Sequence, residues 1–233
     1  MSMDTNGQAV ITREFARLDG GELPLTVARA NGTGAAVVIL PSAFGVGPDL
    51  EAQMRELATT ARLVAALDPF FRSDPGPSPF EDQARMMKRI QGLDRARISA
   101  DFRAAITWAR AQPEVRSVIV VGICLGGPFS LLAAAEGWID GVVTWHGSRM
   151  ENYLERAAHM TCPMRFHFGA VDPVVPPAAV AAVRAAFANR SDVEISVHEG
   201  ATHGFSHRAA PQAYNANAER AGMDAVHALS ASR

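Results

Sequence analysis

Cys124 stands in "VVGICLGGP", where an apolar run stops and glycines begin, and the chain of 233 residues holds only one other cysteine. A thiol at the tip of a tight strand-to-helix turn can act as a nucleophile. The helix that follows aims its free N–H groups and positive dipole end at the sulfur, which favours the attacking thiolate. Gly122 and Gly126, two places either side, carry no Cβ to hold strand and helix apart. Gly-x-Cys-x-Gly therefore has the form of a nucleophile elbow with cysteine where serine usually stands, and Pro128 falls in the helix's first turn, where no donor is missed. The same residues also fit a small buried hydrophobe in a plain βα turn, and spacing alone leaves both readings open.

A thiolate nucleophile needs a base, and the base needs a group to orient it. Downstream, "FHFGAVDPVVP" places Asp172 just past a strand-like run, and "HEGATHGFSH" places His203 in a glycine-bounded loop. Singly, each reads equally well as a turn aspartate or a loop histidine. Together they give the order nucleophile, acid, histidine at successive strand ends, which is the order used by hydrolases built on an α/β sheet. The joint reading is a Cys124–His203–Asp172 triad. An oxyanion hole then requires two backbone donors: Leu125, next to the nucleophile, and Ala43 in "PSAFGVG". His146, at the end of another strand-like run, is expected to line the pocket. His203 and His207 are four apart, but Gly204 disfavours a helix there and no H-E-x-x-H glutamate is present, so no metal site is expected. His159, His167, His198 and His227 read as surface or core residues.

Other chemistries fall away. Lys88 is the single lysine and lies in a charged, helical-looking segment, which leaves Schiff-base catalysis one unpromising candidate. "NGTG" at 31–34 precedes a strand instead of following one, no G-x-G-x-x-G occurs, and no G-K-[ST] occurs, so no nucleotide cofactor is expected.

The elements that must position these residues are legible as Val- and Ile-rich runs at 36–40, 63–67, 117–123 and 141–146, with two more at 164–169 and 193–198. Alanine-rich stretches with helical spacing lie between them, notably at 49–61, 100–111, 128–136 and 178–189. Alternation of strand and helix predicts an α/β fold with a mostly parallel, twisted sheet and helices on both faces. The first thirty residues, with glycine pairs and weak alternation, are expected to form an antiparallel hairpin at one sheet edge. No linker or compositional break divides residues 1–233, which points to one domain. The net charge of −2 provides no electrostatic footprint for nucleic acid or an anionic membrane, so a small molecule is the expected partner. The N-terminus has no basic start followed by an apolar core, and no apolar run approaches the ~20 residues of a membrane span; the chain is expected in the cytoplasm. In that compartment Cys124 and Cys162 are expected as free thiols.

With these residues assembled, the chain resembles the dienelactone hydrolase family along nearly its whole length. The match runs from "VVILPSAFGVGPDL", through "LDPFFR", "DFRAAITWARAQP" and "VGICLGG", to "FGAVDPVVP" and "GATHGF". The resemblance implies an α/β-hydrolase fold, a triad of Cys124, His203 and Asp172, and hydrolysis of small esters, lactones or thioesters through a thioacyl-enzyme; monomer and homodimer both stay open. It also marks departures. The dienelactone enzyme has a glutamate where Ser42 stands, beside Phe44, and grips its substrate's carboxylate with two arginines. One of these corresponds to His207 and the other to Gln83 or nearby Arg85, while Arg85 or Arg208 are neighbours able to substitute. A neutral short-chain ester or lactone is therefore the expected preference. From another class, a ligand receptor or a thiol sensor on the same fold would use Cys124 to report oxidation as a sulfenic acid, with Cys162 too remote to act as its resolving partner.

Overall fold

In the computed structural model, residues 9–18, 20–29 and 34–232 are described. The first eight residues, and "NGTG" apart from Gly34, lie outside that set. Eight strands form one sheet: β1 (Val10–Leu18), β2 (Gly21–Arg29), β3 (Ala35–Leu40), β4 (Leu63–Leu67), β5 (Ser117–Ile123), β6 (Gly141–Trp145), β7 (Met164–Gly169) and β8 (Val193–His198). Their order is β1-β2-β4-β3-β5-β6-β7-β8. β2 runs antiparallel to both neighbours, and every other pairing is parallel. The expected edge hairpin is β1–β2, with Leu18 opposite Gly21.

β3, β4, β5 and β6 are buried at every position, which is why they read as continuous apolar runs and not as alternating ones. Alternate side chains still divide between two cores. Val37, Ile39, Val64, Val121 and Val143 meet helices α1 (Pro48–Leu57) and α6 (Ala216–Ala231) through Met54, Leu57, Val226 and Leu229. On the other face Val38, Leu40, Ala65, Val120 and Val142 meet α3 (Arg95–Arg110), α4 (Gly126–Ala135) and α5 (Pro177–Ala186) through Phe102, Ile106, Leu131 and Val183. A short helix α2 (Gln83–Gln91) sits after β4, with Met86 and Ile90 packed against that second core.

α3 starts earlier than its apolar spacing indicates because Asp94 caps it, accepting from the Arg97 amide. Two elements lacked a strong apolar signal: α6, and a 3₁₀ helix over Met150–His159 beside α4. α6 is amphipathic and mixed in composition, and tertiary burial of its Val226–Leu229 side completes one core. Among the described residues, no helix is long and apolar enough to cross a membrane.

Candidate active site

β5 ends at Ile123, and Cys124 follows at φ +54°, in the left-handed region that disfavours a side chain. The turn is pinned on both sides of the sulfur. The Cys124 amide donates to the Trp145 carbonyl at 3.0 Å, and the Cys124 carbonyl accepts from Gly127 at 3.1 Å and Ser148 at 3.0 Å. Sterics fix the flanking residues: a Cβ on Gly122 would lie 2.0 Å from Ser130 Oγ, and one on Gly126 would lie 2.3 Å from the Leu40 carbonyl oxygen. Glycine at these two places lets α4 start directly behind the sulfur, against β3.

His203 comes from the loop after β8 and brings Nε2 to 3.1 Å from Cys124 Sγ. Its Nδ1 lies 2.8 Å from Asp172 Oδ2, which fixes the ring's orientation. Asp172 follows β7; its carboxylate is fully enclosed, and Oδ1 accepts from the amides of Val174 at 2.7 Å and Val175 at 3.0 Å. Three hydrogen bonds thus satisfy a buried anion. Burial disfavours a charge on His203, yet the Cys124 sulfur and the Asp172 carboxylate outweigh it and raise the imidazole to about 10. His203 therefore carries its proton at neutral pH, with the Cys124 sulfur beside Nε2 and the Asp172 carboxylate beside Nδ1.

Both parts of the expected oxyanion hole face the same space. Leu125 and Ala43 line, with Cys124 and His203, a cavity of about 470 Å³, and among the described residues neither amide donates to a protein acceptor. Ser42 accepts from the Phe44 amide at 3.3 Å and so shapes this loop. Arg89 of α2 braces it from behind: the buried guanidinium donates to the Ala43 carbonyl at 3.1 Å and to Asp74 Oδ2 at 2.8 Å. Sequence reading had no signal for that role, because the partners, a carboxylate and a backbone carbonyl, come from other parts of the chain.

A profile of the dienelactone hydrolase family matches residues 25–230, a span that includes every group just described. The chain belongs to the dienelactone hydrolase family. It is 28% identical over 187 residues to a carboxymethylenebutenolidase of Pseudomonas putida, covering 78% of this chain and 79% of that one. It is 29% identical over 187 residues to the carboxymethylenebutenolidase of Pseudomonas sp. strain P51, covering 78% of each chain. Among solved structures, a dienelactone hydrolase-like promiscuous phosphotriesterase from metagenomic libraries superposes with a TM-score of 0.81 at 24% identity, over 97% of this chain and 99% of that one. The fold is thus the α/β-hydrolase fold expected from the sequence.

Within this family member, the remaining expected pocket residues divide. Ser42, Phe44, Gln83, His146 and His207 line the cavity. Arg85 does not; its guanidinium holds Asp74 through Nε at 2.8 Å and Nη2 at 2.7 Å, so its expected substrate contact is corrected to a structural ion pair. Arg208 is likewise committed, to Glu219 and Glu56 at 2.6 Å each, and is not among the residues lining the cavity. Burial lowers His207 to about 4, leaving it neutral beside Phe44 and Phe80. The cations that do border the cavity are Arg95 and Arg149, both exposed, and sequence reading assigned neither of them a role. Arg95 lies over the Phe129 ring at 5.4 Å and donates to the Tyr153 hydroxyl at 3.2 Å. Arg149 has φ +57° in the loop after β6. Met86, Ile90 and Phe129 make the rest of the wall largely apolar.

Proposed function

We propose that the chain hydrolyses small, predominantly neutral esters, lactones or thioesters, with Cys124 as nucleophile, His203 as acid and base, and Asp172 as the group that orients His203. The observation that carries this reading is the continuous contact Cys124 Sγ–His203–Asp172, at 3.1 and 2.8 Å, on the wall of a cavity of substrate size. Membership of the family makes the chain an ester or lactone hydrolase, and the relatives named carboxymethylenebutenolidase support lactones among its substrates.

The thiolate attacks the substrate carbonyl carbon, forming a C–S bond and an oxyanion that accepts from the Leu125 and Ala43 amides. Collapse breaks the C–O bond, and the His203 imidazolium gives its Nε2 proton to the departing alkoxide. Neutral His203 then takes a proton from water, whose oxygen attacks the thioacyl carbon. The second collapse breaks the C–S bond and regenerates thiolate and imidazolium, with Asp172 holding Nδ1–H throughout.

A thiol sensor usually pairs its sulfenic acid with a resolving thiol. Cys162 precedes β7, level with residue 118 of β5 by the strand register, so about six residues or 20 Å of strand separate it from Cys124. A panel of esters, lactones and thioesters assayed against wild type and Cys124→Ala tests the proposal. Turnover by wild type alone is expected; no hydrolysis above the control across the panel would replace it with a receptor or sensor.

A further inference from the structure

His146 is completely buried, and its backbone adopts φ +40°. Ser206 Oγ lies 2.9 Å from its Nε2, while among the described residues Nδ1 has no hydrogen-bond partner on another residue. Buried polar atoms are ordinarily paired, and an imidazole nitrogen without a partner on another residue, at a strained position, calls for a cause. The hydrolytic cycle uses Cys124 and His203 but gives that nitrogen no task. Yet one donor atom from each of Cys124, His146 and His203 lies within 4.8 Å of the other two, and the sulfur is already 3.1 Å from His203 Nε2.

We propose that Cys124, His146 and His203 form a binding site for one divalent transition-metal ion of the zinc class. Tetrahedral zinc, with Zn–S of about 2.3 Å and Zn–N of about 2.0 Å, sets sulfur and nitrogen donors about 3.5 Å apart. Donor spacings of up to 4.8 Å must therefore contract on binding. Thiolate and imidazole are the ligand types that suit this ion class, and three of them leave the fourth position open to the cavity. The outer contacts are also those of a metal site. Asp172 occupies His203 Nδ1 and leaves Nε2 for the metal; Ser206 occupies His146 Nε2 and leaves Nδ1. The sequence weighs only His203 with His207 as a metal pair, whereas the end of β6 brings in His146 from a distant part of the chain.

Binding forms one metal–sulfur and two metal–nitrogen bonds and releases the His203 Nε2 proton to solvent, with no electron transferred. The bound ion occupies the sulfur lone pair needed for attack, so the filled site is an inactive, chelator-reversible state. This site does not depend on turnover. The test titrates Zn²⁺ into the full chain in competition with a chromogenic chelator, with proton release and iodoacetamide labelling of Cys124 followed alongside. One Zn²⁺ per chain, about one proton released per ion near neutral pH, slowed labelling, and recovery on adding EDTA are expected. His146→Phe should weaken binding at least tenfold, and His146→Gln, which keeps a polar group near Ser206, should do the same if the first variant fails to fold. Wild-type affinity in a folded His146 variant, or no stoichiometric binding to wild type, overturns the proposal. Because binding is read without substrate, an inactive wild type would sink the hydrolytic reading and leave this one standing.

Discussion

The two cysteines differ by the environments their side chains meet. Cys124 is half-buried, 3.1 Å from an imidazole raised to about 10 by the sulfur and by Asp172 against the opposing effect of burial. Cys162 is buried, and burial pushes its thiol up to about 11. Brief iodoacetamide treatment at pH 7 should therefore label Cys124 and spare Cys162, as read by peptide mass spectrometry; equal labelling would remove the activated thiolate. On the proposed mechanism the same imidazole should set the alkaline limit of the reaction. A free histidine loses its proton near 6.5, whereas His203 keeps it up to about 10, so kcat/KM should hold through neutral pH and fall only as pH rises through about 10. Asp172→Asn removes one of the contributions that raise His203, so the fall should move to lower pH with residual activity retained. His203→Ala should cost about 10³-fold or more, since it removes the proton carrier itself. An unmoved alkaline limb in Asp172→Asn would mean the carboxylate does not set the imidazole's charge.

At the scale of the elements, the site depends on how closely α4 approaches β3 behind the sulfur. A methyl on Gly126 would drive into the Leu40 carbonyl at 2.3 Å, and that backbone belongs to a fully buried central strand. Gly126→Ala should cost about 2 kcal/mol or more in urea unfolding, in the range of overpacked cores, and should reduce turnover by shifting Leu125. Gly21→Ala, where nothing lies within 4 Å of the added carbon, is the control and should change stability little. Equal midpoints for the two variants would mean that strand and helix can part without cost. Arg89 shows a second dependence of this kind: a helix far from the elbow in sequence holds the Ala43 carbonyl, and with it the loop that borders the cavity beside Cys124.

Across the whole molecule, the arginines that border the cavity are, among the described residues, exposed ones. Arg85 and Arg208 are spent on Asp74, Glu219 and Glu56, and the cations that remain, Arg95 and Arg149, are exposed to solvent. Exposed cations attract an anion by about 1 kcal/mol or less and are screened by salt, which does not repay transfer of a carboxylate onto an apolar wall. A carboxylated lactone should therefore show kcat/KM no higher than its methyl ester at 0.15 M ionic strength. Any gain of the free acid at low salt should vanish in Arg95→Ala/Arg149→Ala. A free acid preferred by tenfold or more, about 1.4 kcal/mol in transition-state binding, would require a buried cationic grip.

The α/β class, the six parallel-strand positions, the elbow glycines and the order Cys124, Asp172, His203 are all local in sequence. β3 to β6, buried on both faces, must be continuously apolar, and a turn with no room for Cβ must be glycine, so these features are written where they act. The edge hairpin was legible for the same reason, and α6 was not, because its mixed composition becomes a core face only once the sheet lies beneath it. Side-chain partnership is different in kind. Whether Arg85 meets a substrate or Asp74, whether Arg95 and Arg149 reach the mouth, and whether His146 stands beside Cys124 depend on groups from separate strands and loops. Their distances follow from strand order and register, which the chain composition does not state and the folded sheet alone decides.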